Sequence, residues 1–266
     1  MKKLIFVLLC FSILTLGSSA KIIGVVPAGA WGIGLIGAGG GAVEEGTVLE
    51  FEELFDFGTV GTPVAVESDP GGMWDVTGQD PTNLLLANGT HALLGTPGEN
   101  DYFHAVFATA SGGVDQAVKM KMGEASINTG YYVGYGALLR AQNADATGTY
   151  YRMYVKGDSV NCVFSVEYYT NFTNTDYVNK VTISQVTDGD WIGFAVTGTG
   201  ASTVFSFWDF GTSDPGDYGS WGAATQTLDN TGLDTPLDTG SYMGFFLSYH
   251  GSVPRNTIDT WEGGGW

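Results

Sequence analysis

Basic residues are scarce in this 266-residue chain: 10 lysines and arginines stand against 28 acids, for a net charge of −18. A nucleic-acid partner would need a basic stripe to displace counterions from phosphates. None is present, which argues against nucleic acid as a partner. Lys119 and Lys121 come nearest, and one short strand face is not a groove. Cysteine is nearly missing as well. Cys10 falls in an apolar N-terminal run and Cys162 is the other. With that run removed no intramolecular disulfide can form, and stability must come from the core, a metal or assembly. Long runs of Ala, Glu, Lys and Leu are lacking, and beyond the N-terminal region no apolar stripe of helical spacing is sustained. There is no Gly-x-Ser-x-Gly elbow, and His91, His104 and His250 lack zinc-ligand spacing, so serine-triad and zinc chemistry have no residues to carry them.

What is present begins with an export signal. Lys2 and Lys3 precede the apolar run Leu4 to Leu16, which is too short to span a bilayer comfortably, and Ser18-Ser19-Ala20 supplies the small residues of a cleavage site. Residues 1–20 are therefore predicted to be a signal peptide, and the protein to be secreted or displayed at a cell surface. Residues 21–47 form an apolar, Gly-rich leader. Ile22 to Val43 carries no charge, and Pro27 with its many glycines weakens it as a helix. A flexible linker, a membrane anchor and a self-assembly segment are all open readings of it.

From residue 48 to 266 the pattern has period two, as expected of one all-β domain. Val118, Met120 and Met122 alternate with Ala117, Lys119 and Lys121, and Tyr151, Met153 and Val155 alternate with Tyr150, Arg152 and Tyr154. Cys162 alternates with Phe164 and Val166, which places a buried, inert thiol on an inward strand face. Clusters such as Asp69-Pro70-Gly71-Gly72 and Asp188-Gly189 mark tight turns between strands. Residues 209–241, rich in Asp, Gly, Thr and Ser, read as a long decorated loop. Many strands at close spacing mean a sandwich, jelly roll or barrel.

Gly136 to Arg140 followed by Thr149 to Met153, then Asp188 to Gly198, and finally Ile258 to Gly264, together resemble the strands of concanavalin A-like lectin/glucanase domains, a superfamily that includes laminin G-like modules. The resemblance covers roughly residues 48–266. It implies a two-sheet antiparallel jelly-roll sandwich whose closing strand returns beside its first, often with a structural calcium and sometimes a concave sugar groove. It also implies calcium ligands where the chain ends meet, at Asp56 and Asp259. The glucanases of this superfamily carry a Glu-x-Asp-x-x-Glu-like run that is missing here, and the alginate-lyase pattern is missing too, so an enzyme is not expected.

Aromatic side chains offer flat faces for a pyranose. Tyr132 and Tyr135, Tyr150 and Tyr154, and Trp208 at the start of the Asp-rich loop are the candidate ligand-binding residues, with ordinary cross-strand packing as their alternative role. Trp74, Trp191 and Trp261 read as core residues. Asn88 and Asn171 fit the glycosylation acceptor pattern, which matters only in a source that glycosylates. The sequence therefore favours an exported, non-catalytic carbohydrate- or glycan-binding module at a cell surface. The alternatives are a structural or assembly subunit of a surface layer, filament or virion, and a diverged polysaccharide hydrolase or lyase with two carboxylates facing each other across a cleft.

Overall fold

The computed structural model describes residues 49–55, 62–63, 74–78, 85–87, 92–94, 102–107, 110–123, 134–145, 147–158, 161–170, 173–232, 236–248 and 257–266. The signal and leader segments, Asp56, Asn88, Tyr132 and Asn171 lie outside them. In chain order the strands are β1 (Phe51–Glu53), β2 (Thr62–Pro63), β3 (Trp74–Gly78), β4 (Leu85–Ala87), β5 (Ala92–Leu94), β6 (Tyr102–Phe107), β7 (Gln116–Met122) and β8 (Gly134–Ala141). They continue as β9 (Thr149–Asp158), β10 (Asn161–Thr170), β11 (Thr173–Ile183), β12 (Trp191–Thr197), β13 (Val204–Gly211), β14 (Gln226–Asp229), β15 (Tyr242–Ser248) and β16 (Ile258–Gly265).

They make two antiparallel sheets. One has the order β14-β13-β12-β7-β16-β5-β4-β2 with β1 also paired to β16, and the other has the order β11-β10-β9-β8-β15-β6-β3. This is the expected two-sheet jelly-roll sandwich. The first and last strands pair as the resemblance implies, with Glu52 opposite Glu262 and Glu53 opposite Trp261. β8 and β9 pair centrally, with Leu138 opposite Arg152. The segment from Trp191, by contrast, sits in the other sheet, after the β10–β11 hairpin.

Period-two alternation sends one side chain in two toward the space between the sheets. Val118, Met120, Met122, Tyr151, Met153, Val155, Phe164, Phe194 and Phe207 meet there with Trp74, Phe245 and Trp261. The rings pack edge to face, as the aromatic quadrupole prefers: Trp74 and Phe245 lie 4.8 Å apart, and Trp74 and Trp261 5.0 Å. Trp74 donates its indole N–H to the buried Glu53 carboxylate at 3.1 Å. The stretch expected as a loop over 209–241 contains a strand, β14. Its backbone pairs with β13, and Leu228 is buried in the core. Gly and Asp, which crowd this stretch, are poor local strand signals, and the pairing is decided by the neighbour rather than by propensity.

One end of the sandwich is clasped by Arg140, whose side chain has no exposed surface. Nε donates to the Val114 carbonyl at 2.7 Å and Nη1 to the Leu237 carbonyl at 2.7 Å. Nη2 donates to the Gly198 carbonyl at 2.5 Å and to Asp115 at 3.3 Å. The clasp sits at a register shift between β8 and β15, and Arg140 adopts a left-handed φ of 54° there.

Cys162 takes the inward position expected of it, with burial pushing its thiol up to about 11. Because thiolate is the reacting form, the folded Cys10→Ser protein is expected to leave a disulfide reagent such as dithiobis-nitrobenzoate unreacted at mildly alkaline pH and to react at once in denaturant. Rapid release of chromophore from native protein would contradict the buried placement.

Candidate functional site: an aromatic platform on the nine-stranded sheet

The outer face of the nine-stranded sheet carries a row of side chains set by cross-strand register. Glu52 lies opposite Glu262, Glu262 opposite Lys119, Lys119 opposite Gly193, and Gly193 opposite Trp208. Neighbouring positions Ala117 and Ala195 are also small and buried. Small residues here leave room for a bulky side chain to lie over the sheet. Trp221 fills it: a Cβ built on Gly193 would stand 2.7 Å from the Trp221 ring and 3.0 Å from Phe210.

Trp221 arrives from the loop after β13, through a short 3-10 turn over Tyr218–Ser220. The loop is tied to itself and to the sheet. Gly216, with φ of 70°, supplies a left-handed bend and a carbonyl that accepts the Trp221 indole N–H at 2.9 Å. The Trp208 indole N–H donates to the Gly222 carbonyl at 3.2 Å. Asp214 accepts both the Gly216 N–H at 2.9 Å and the Lys119 ammonium at 2.7 Å.

The result is a cluster of five rings from three stretches of chain. Trp208 and Trp221 are buried, with centroids 5.1 Å apart. Phe210, Tyr218 and Trp266 pack against them and stay half-buried. Tyr218 and Trp266 are 4.6 Å apart with planes inclined at 34°. Trp266 is held by paired backbone hydrogen bonds to Asp115, at 2.9 and 3.3 Å. Burial, with the nearby Asp115 charge, raises the Tyr218 phenol above its ordinary value, so it remains a neutral hydroxyl at physiological pH.

Lys119 is itself buried, bridging Asp214 and Glu262 and standing 4.8 Å from the centre of the Trp191 ring. The two carboxylates respond in opposite directions. For Asp214, partial desolvation is outweighed by hydrogen bonds from Lys119 and the Gly216 N–H, which hold it below its ordinary value. For Glu262, burial dominates and raises it, the pull of Lys119 notwithstanding.

The structure redistributes the residues singled out in the sequence. Tyr135 points into the core, and its hydroxyl has no hydrogen-bond partner among the described residues. Tyr150 and Tyr154 share the other face of the seven-stranded sheet with Tyr169 and Phe246, and all four are buried. Three of these rings surround the Arg152 guanidinium, at 4.6 Å for Tyr154, 4.2 Å for Tyr169 and 4.3 Å for Phe246. Arg152 pairs with Glu167, which also accepts the Tyr154 hydroxyl. These tyrosines are therefore not an exposed stacking row, because their faces shield a buried ion pair. Trp208 belongs to the platform, but as its buried support. Phe210, Tyr218 and Trp266 were missed. The Trp208–Trp221 bracket around an Asp-rich stretch was the available signal, and nothing local linked the last residue of the chain to it.

For calcium, Asp259 is an ion-pair partner of Lys121 at 3.5 Å. Among the described residues no group of three or more His, Cys, Asp or Glu side chains stands together as a cation site. Asp56, the other carboxylate of the expected calcium pair, lies outside the described residues.

The class the fold defines is a two-sheet antiparallel β-sandwich. No protein-family model matches the sequence, and no curated protein matches it. Among solved structures, the chain is similar to the Ca2+/Man2-bound form of the VIP36 exoplasmic/lumenal domain, with 12% identity and a TM-score of 0.48 over 78% of this chain and 87% of that one. It is similar to the Emp47p carbohydrate recognition domain, with 10% identity and a TM-score of 0.48 over 80% and 93%. A legume lectin-like domain from Entamoeba histolytica gives 10% identity and a TM-score of 0.45 over 73% and 90%. At these values the likeness assigns neither ligand nor activity to this chain.

Proposed function

We propose that this protein is an exported, non-catalytic glycan-binding module whose ligand stacks on the half-buried rings of Phe210, Tyr218 and Trp266. The observation that carries the reading is the construction of the platform. Half-buried aromatic rings pack on a buried, hydrogen-bonded Trp208–Trp221 pair, so they are held in place before any ligand arrives. Rigid rings lose little conformational entropy on binding, and a pyranose offers them an apolar face while its hydroxyls need polar partners at the rim. Asp214, Asp217 and Ser220, all exposed, provide acceptors there. Export rests on the N-terminal charge, apolar run and small-residue site of residues 1–20.

A glycan array probed with the full chain, with calcium and with chelator, tests the reading. Binding to a defined set of glycans is expected. Tyr218→Ala should weaken it by about tenfold to a hundredfold, as loss of an aromatic anchor does, with little change in Tm. A blank array, or signals unchanged in Tyr218→Ala, would overturn it.

A further inference from the structure

Around the platform Asp217 makes no capping bond, and Asp214 and Asp115 keep exposed surface beside the contacts they already make, whereas both lysines of the same sheet face are engaged. Lys119 has 2% of its side chain exposed and is shared between Asp214 and Glu262, and Lys121 is paired with Asp259. Asp214 nevertheless keeps 54% of its side chain exposed. Asp217 is exposed and makes no capping hydrogen bond to the turn that it begins, directly before Tyr218. Asp115, close enough to raise the Tyr218 phenol, keeps 29% of its side chain exposed.

Charge complementarity then selects the occupant. We infer that the platform takes a cationic glycan, one that carries protonated amino groups as glucosamine oligomers do, in preference to neutral or acidic sugars. This rests on the glycan reading above and narrows it. The sugar ring lies on Tyr218 and Trp266, and its ammonium group donates hydrogen bonds to the Asp217 and Asp214 carboxylates at the rim. Uronic acids and sulfate esters meet the same carboxylates with like charge and find no free cation on this face among the described residues.

Calorimetric titration of the full chain at slightly acid pH with three probes decides the matter: a glucosamine tetramer, its N-acetylated counterpart and a uronic acid tetramer. The glucosamine tetramer is expected to bind about tenfold or more tightly than the N-acetylated one, with the uronic acid weakest. The advantage should shrink as salt is added and in Asp217→Asn, and Tyr218→Ala should weaken both of the first two probes. Equal binding of the two, tighter binding of the acidic probe, or a preference unchanged in Asp217→Asn overturns the cationic selectivity and leaves glycan binding standing. An advantage that survives intact in Tyr218→Ala also overturns it, since the attraction then belongs to the acidic surface at large. If no probe binds, the inference falls, and a blank glycan array takes the parent reading with it.

Discussion

Arg140→Met should lower the free energy of unfolding by about 3–5 kcal/mol, the range seen when one partner of a buried charged network is removed. The side chain is fully buried, and its donors satisfy carbonyls at Val114, Gly198 and Leu237 as well as the Asp115 carboxylate. These groups come from the approach to β7, the turn after β12 and the segment before β15. One guanidinium therefore ties both sheets together at the same end of the sandwich. Methionine fills much of the volume but donates nothing, taking a donor from three carbonyls, while the Asp115 carboxylate, part-exposed and still accepting the Gly198 N–H, loses only one of its partners. Arg140→Lys keeps the charge without the planar fork and should fall between the two. Urea unfolding followed by tryptophan fluorescence measures the loss. A change under about 1 kcal/mol, the worth of an ordinary hydrogen bond, would mean the clasp is not a structural centre.

Gly193→Val should cost about 1–3 kcal/mol by overpacking and abolish ligand binding at the platform. Trp221 lies on the bare backbone of Gly193, and a single added carbon would stand 2.7 Å from its ring. The indole must lift, breaking its hydrogen bond to Gly216 and loosening the turn that presents Tyr218. The near-ultraviolet circular dichroism of the Trp208–Trp221 pair should collapse while the far-ultraviolet strand signal persists. Combining Gly193→Val with Trp221→Leu should recover part of the stability and none of the binding, because the clash is relieved but the platform's support is gone. Full binding by Gly193→Val would show that the ligand does not use this face.

Both predictions concern features that the sequence left indistinct. The alternation of Tyr150, Arg152 and Tyr154 with Tyr151, Met153 and Val155 was legible, and so was the inward direction of Cys162. Which rings would meet solvent was not. Tyr150 and Tyr154 lie on the outward set of β9, where an outward aromatic reads as available for a ligand. The structure surrounds a buried Arg152–Glu167 pair with the rings of Tyr154, Tyr169 and Phe246 instead. Period two assigns a residue to one side of a sheet and says nothing about what covers that side.

The sequence by itself determined an acidic all-β sandwich with a turn at Asp188-Gly189, because charge, alternation and turn chemistry are local properties. Tertiary structure alone decided how the aromatic platform is assembled. Gly193 and Trp208 become neighbours only through the β12–β13 register, and Trp221 reaches them only when its loop folds back. Trp266 meets Tyr218 because β16 closes the sheet beside β7 and carries the chain end onto that face. Strand pairing between distant segments is a cooperative choice of the whole chain, driven by burial of the core, and the platform is a consequence of that choice.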